Sequence, residues 1–109
     1  MARVLTLTGQ GTGTVNSNVL LTKGSTLLTS ILSVTAASGT PTLDVELQWS
    51  SDGVVWASAT TPDAFTQATG TTNEAIDQVT VKGMYVRAQA VVGGTTPSFD
   101  ATVDIDPIN

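Results

Sequence analysis

The sequence predicts an all-β fold: a single-domain antiparallel β-sandwich or jelly roll of about seven to eight strands. Three observations predict it. Apolar residues recur with period two, and no helical period persists over three turns. Turn signals interrupt these alternating runs every ~8–12 residues. Charged residues make up only 12% of the chain, about half of the usual ~25%. Thr, Ser and Gly take their place, and a chain rich in Thr and Val favours strands joined by polar turns. The 109 residues amount to one ordinary domain, whose folding buries roughly two-thirds of the unfolded surface and supports a core without staples.

Taken in order, Arg3–Thr8 is a short amphipathic strand. Leu5 and Leu7 share one face, and Val4 lies with Thr6 and Thr8 on the wetter one. Gly9–Gly13 follows, a Gly-Thr stretch that a helix forms only at high cost. Residues 1–17 read either as an arm that adds a strand to a neighbour's sheet edge or as the first strand of the domain that occupies 18–109. Asn16–Leu21 and Ser25–Val34 are the next strands, separated by a Lys23-Gly24 turn. Within the second, Leu27–Leu32 is apolar on both faces; its length and flanking Thr residues favour a covered strand over a short helix.

Leu43–Trp49 is the clearest strand, with Leu43, Val45, Leu47 and Trp49 alternating against Asp44, Glu46 and Gln48. Ser50-Ser51-Asp52-Gly53 then supplies a hairpin turn, and Val54–Ala59 is expected to run back. With a four-residue loop both Trp49 and Trp56 face the core; a one-residue bulge instead turns Trp56 outward. Thr60–Asn73 is turn-like, with Phe65 as its anchor. Glu74–Val81 sets Ile76, Gln78 and Thr80 against Ala75, Asp77, Val79 and Val81. After Lys82-Gly83, the strand Met84–Val92 buries Met84, Val86, Ala88, Ala90 and Val92 and leaves Tyr85, Arg87 and Gln89 opposite. Gly93-Gly94 marks a turn, and Phe99, Ala101, Val103 and Ile105 form the buried face of the last strand.

The composition narrows function by exclusion. Histidine and cysteine are both absent, which removes Cys/His metal sites, imidazole bases and disulfides. Each lysine sits beside a glycine in an expected turn, where little desolvation is available to activate it. The acids fall on wet faces or in turns, so no carboxylate pair is set for acid–base chemistry. Asp100, Asp104 and Asp106 share one side of the last strand. That side is either a solvated face, which the alternation already explains, or a Ca²⁺ site, for which the loop signature is missing. Gly9–Gly13 lacks the Lys-Ser/Thr ending and following helix of a phosphate loop. No enzyme activity, cofactor or metal is expected.

The net charge is −5, and the four cations, Arg3, Lys23, Lys82 and Arg87, are scattered. Nucleic acid and anionic membranes are therefore poor partners. The alternating start of the chain is unlike a signal peptide's apolar run, and no stretch has transmembrane length, so synthesis and folding in the cytoplasm are expected. Trp56, Tyr85 and Arg87 form a sugar-stacking platform if exposed; otherwise they are a core residue and a strand-face pair.

Several segments carry a family resemblance: Ser38–Val45, Ser51–Trp56, Ala64–Thr71, Gly83–Ala88 and Val92–Phe99. Together they resemble small tailed-bacteriophage virion proteins of the capsid decoration (cement) type over about the C-terminal two-thirds of the chain. The resemblance implies a β-sandwich or jelly roll on the virion surface. It also implies binding to the major capsid protein, homo-oligomerisation with a trimer favoured, and no catalytic residues. The residues expected to meet a partner are Arg3, Val4, Leu5, Trp56, Tyr85 and Arg87. A receptor- or carbohydrate-binding module of a phage fibre or tail is the alternative expectation.

Overall fold

Two strands organise the molecule. In the computed structural model, which describes residues 2–108, β4 (Leu27–Ser50) and β7 (Tyr85–Ile108) are each 24 residues long. They pair antiparallel along almost their whole length, from Leu27↔Ile108 to Ser50↔Tyr85. Straight strands of that length would run about 80 Å, twice the molecule's longest dimension of 41 Å. The pair must therefore bend. It does so between Val34 and Pro41 on one strand and between Gly93 and Phe99 on the other, where the register shifts.

The shorter strands complete two layers of one antiparallel sheet. Beside the 27–37 half of β4 and the 99–108 half of β7 lie β1 (Ala2–Gln10), on β7, and β6 (Thr72–Thr80), on β4. Beside the other halves lie β2 (Gly13–Asn16) and β3 (Leu20–Leu21), on β7, and β5 (Asp63–Ala64), on β4. Single bridges Leu43↔Ala68 and Trp49↔Ala57 extend that last edge. Seven strands and no helix among the described residues make this an all-β, sandwich-like fold.

The core lies between the layers. Leu28, Leu32 and Val34 from β4 join Phe99, Val103 and Ile105 from β7 on one side. Leu43, Val45, Leu47 and Trp49 join Val86, Ala88, Ala90 and Val92 on the other, and all belong to one cluster. The buried polar groups are satisfied: the Ser30 hydroxyl donates to the Asp104 carbonyl (2.9 Å), and the Thr22 hydroxyl reaches the Gly83 and Met84 carbonyls (each 3.0 Å). Burying them unpaired would cost about 1–3 kcal/mol each.

The bend depends on glycine. Gly39 and Gly94 have φ of 79° and 98°, where a side chain is disfavoured. A Cβ on Gly94 would overlap the Thr40 carbonyl oxygen, and one on Gly39 would overlap that of Thr96. Backbone meets backbone here without room for a methyl group. Gly93-Gly94, expected as a turn, is therefore a bend inside a continuous strand, and Ser38–Pro41 is its counterpart in β4.

Four further expectations are corrected by local geometry. Val4 is buried, not on the wet face, because a bulge between Arg3 and Leu5 lets both Val4 and Leu5 turn inward. Another bulge in β6, with Gln78 at φ 51°, moves the inward position from Ile76 to the buried Val79, so no single alternation runs through that strand. Val54–Ala59 forms no return strand. Asp52 folds the chain into a tight Asx turn, its Oδ1 accepting from the N–H groups of Val54 (2.8 Å) and Val55 (3.0 Å). Only Ala57 then pairs with Trp49. Met84, expected in the core, is 57% exposed at the end of its strand.

Candidate functional site

The outer face of the β2/β3–β7–β4–β5 layer collects the chain's most distinctive chemistry. Alternation along β7 sends Val86, Ala88 and Ala90 inward, so Tyr85, Arg87, Gln89 and Val91 point outward. Their partners across the ladder on β4 are Ser50, Gln48, Glu46 and Asp44. On the other side β2 sets Asn16 opposite Gln89, and β3 sets Leu21 opposite Tyr85.

These residues hold one another in place. Arg87 Nε donates to Gln48 Oε1 (2.9 Å), and Gln48 Nε2 donates to Gln89 Oε1 (3.3 Å). Gln89 Nε2 donates in turn to Asn16 Oδ1 (3.0 Å). From the loop above, the Ser58 hydroxyl donates to Glu46 Oε1 (2.6 Å). Trp56 lies over the Arg87 guanidinium, 4.5 Å from ring centroid to Cζ. Arg87 rests on the sheet with one edge tied to Gln48. The half-buried indole thus stacks over the cation.

Next to this row is a cavity of about 400 Å³, lined by Asp44, Glu46, Pro62, Ala64, Gln89 and Val91, with Phe65 and Val45 at its base. Gln67 Nε2 bridges both oxygens of Asp44 (3.1 Å each) at its rim. A second cavity of about 350 Å³ lies beside Trp49, Val55, Ala57 and Lys82. There Asp63 accepts from the Trp49 indole N–H (3.0 Å) and from Lys82 Nζ (3.0 Å), while Lys82 sits 5.4 Å from the Trp49 ring centroid. That cluster fixes the loop edge onto the core. The N–H groups of Val55 and Val54, with the Ser50 hydroxyl, hold the Asp52 carboxyl below the ordinary carboxylate pKa.

Exposed apolar side chains gather at one end of the same layer. Leu21 lies across from Tyr85, and Met84 precedes it. The Tyr85 ring packs on Gly53, whose neighbours Val54 and Val55 are 78% and 71% exposed. Val19, also exposed, lies two residues before Leu21.

Of the six residues expected to meet a partner, Trp56, Tyr85 and Arg87 come together on this face. Arg3 is exposed on β1, where Nε binds Asp104 Oδ1 at 2.8 Å, distant in register from the others. Val4 and Leu5 are buried in the chain's own core, so neither presents a surface. In the single chain, β1 pairs with β7. Among the described residues no cluster of three or more acids is placed to hold a metal ion. Asp104 binds Arg3, and Asp100 Oδ1 accepts the Gly9 N–H at 2.6 Å.

Sequence reasoning missed Gln48, Gln89, Glu46 and Asn16 as members of one row. Alternation already placed each on a wet face, but only the pairing register aligns them. It also missed the apolar end, because Val54, Val55 and Met84 read as strand residues with a buried side. No protein-family model matches this chain, and no curated protein matches it significantly in sequence.

Proposed function

We propose that this chain is a bacteriophage capsid decoration protein that binds the outer surface of the major capsid protein shell and stabilises the head. It acts as a homo-oligomer, a trimer being favoured, and its place is the virion surface. The resemblance of the segments between Ser38 and Phe99 to cement-type virion proteins motivates the reading. The structural observation that supports it is the exposed apolar end formed by Leu21, Val54, Val55, Met84 and the neighbouring Tyr85. Clustered exposed apolar residues mark protein-binding surfaces, and tyrosine is enriched at the centres of such contacts. The remaining surface is poor in charge, which limits the desolvation cost of packing against neighbours. The bent strand pair provides a rigid body that transmits load between the subunits it touches.

The test is rebinding to particles that lack the chain. Purified protein should bind in many copies per particle and raise the temperature and osmotic shock that particles survive. Val55→Asp places a charge in the proposed contact and should weaken binding about tenfold or more, with the free domain still folded because Val55 is exposed. Particles whose stability is unchanged by saturating protein, or binding indifferent to Val55→Asp, would overturn the proposal.

A further inference from the structure

We infer that the Asp44–Glu46 cavity, with the adjoining row of Gln89, Gln48, Arg87 and Trp56 as one binding groove, is a site for a neutral saccharide. It is separate from the apolar end at Tyr85 and does not depend on the capsid reading. A pyranose has an apolar C–H face and a rim of hydroxyls, each of which both donates and accepts. The groove offers a counterpart to both. The half-buried Trp56 ring, held over Arg87 at 4.5 Å, provides the aromatic surface. Along the floor, Gln89 and Asn16 present planar amides, and Glu46 and Asp44 present carboxylates, groups suited to hydroxyl contacts, with Gln48 bracing the row.

Three features make this a formed site instead of a merely polar strand face. The amides are already fixed by hydrogen bonds to one another, at 3.3 Å for Gln48–Gln89 and 3.0 Å for Gln89–Asn16, so a ligand meets pre-set atoms and little ordering cost. Ser58 and Gln48 both address Oε1 of Glu46, and a carboxylate has about four acceptor positions, which leaves capacity for hydroxyl donors. The adjoining cavity of about 400 Å³, with Pro62, Ala64 and Val91 among polar groups, has the size and mixed lining of small-ligand sites, ~300–1,000 Å³.

Charge selects among sugars. Asp44 and Glu46 line the groove, and its cation, Arg87, is engaged by Trp56 and Gln48. The whole chain carries −5. Sialylated and uronate-containing glycans are therefore repelled, and neutral hexose or N-acetylhexosamine termini are accepted.

The experiment applies the full-length chain to immobilised oligosaccharides ending in glucose, galactose, mannose or N-acetylglucosamine. Sialylated counterparts and unglycosylated peptides are included alongside. Binding to at least one neutral terminus is expected, with loss on sialylation. For that sugar, Trp56→Ala should weaken binding about tenfold and Trp56→Phe no more than about threefold, the range an aromatic stack contributes. In ¹⁵N spectra, the sugar should shift the Trp56 indole and the Gln48 and Gln89 side-chain amides, which a merely structural tryptophan would not require. If Trp56→Ala unfolds, Gln89→Ala decides, with at least threefold weakening expected. Neutral sugars bound no better than peptides, preference for sialylated glycans, or binding unchanged in the deciding variant would overturn the inference.

Discussion

Replacing Gly94 with alanine places a methyl group where the two long strands bend past each other, and its cost can be worked out from two contributions. Gly94 has φ 98°, a backbone region that costs an L-residue about 1–2 kcal/mol. The added Cβ would also overlap the Thr40 carbonyl oxygen and lie 3.1 Å from its carbon, an overpacking against backbone worth about 1–3 kcal/mol. The sum, about 2–5 kcal/mol, is a large share of the ~5–15 kcal/mol that stabilises a domain of this size. Gly24 is the matched control. It has φ 74° with nothing within 4 Å of its would-be Cβ, so Gly24→Ala incurs only the backbone contribution of about 1–2 kcal/mol. Urea unfolding followed by tryptophan fluorescence measures both. Equal losses in the two variants, or a Gly94→Ala protein within 1 kcal/mol of wild type (about the lower bound of the backbone effect), would refute the crossing of β4 and β7 as described.

Three shorter predictions test other parts of the fold. Val4→Ala should cost about 1.5–2 kcal/mol, the loss of two buried methylene equivalents, while Thr6→Ala on the exposed side stays within about 0.5 kcal/mol; the opposite order in chemical denaturation would place the β1 bulge elsewhere. Trp49→Phe removes the 3.0 Å indole donor to Asp63 and should cost about 1.5–3 kcal/mol, as for hydrogen bonds to charged groups, again by urea unfolding. Asp52, its carboxyl pKa lowered by the Val55 and Val54 N–H groups and the Ser50 hydroxyl, should titrate below the ordinary aspartate value in an NMR pH series. Because its folded pKa is depressed, the stabilisation it gives is complete above the ordinary Asp value and fades as pH falls through the lowered one; Ser50→Ala should move that midpoint upward.

How much of this was legible depends on whether the information is local. Leu43–Trp49, the Val86–Val92 half of β7 and the Phe99–Ile105 half alternate cleanly because each faces core on one side and solvent on the other. Pattern alone therefore located them and the outward direction of Tyr85, Arg87 and Gln89. The continuity of β4 and β7 was hidden. Ser38-Gly39-Thr40-Pro41 and Gly93-Gly94 carry the residues of a turn, and what keeps them in a ladder is the partner strand more than fifty positions away in sequence. The bulges at Val4 and Gln78 shift the inward face midway along a strand, which period-two reasoning cannot anticipate. Val54-Val55-Trp56 looked like a returning strand on propensity, yet Asp52 captures the N–H groups of Val54 and Val55 and ends the hairpin. The row from Asn16 to Ser58 needed the register of three strands and a loop, none of it written in neighbouring residues.

The central proposal is that this sandwich-like domain works by covering a phage shell, and a cryo-EM reconstruction of phage particles produced from a genome that includes its gene tests that proposal most directly. The account predicts density for the domain on the outside of the head, repeated over junctions between major capsid subunits, with the Leu21–Val55–Met84 end buried in the contact and the Trp56 groove open to solvent. Absence of the chain from purified particles, its confinement to the tail, or an attachment that leaves the apolar end exposed would contradict it.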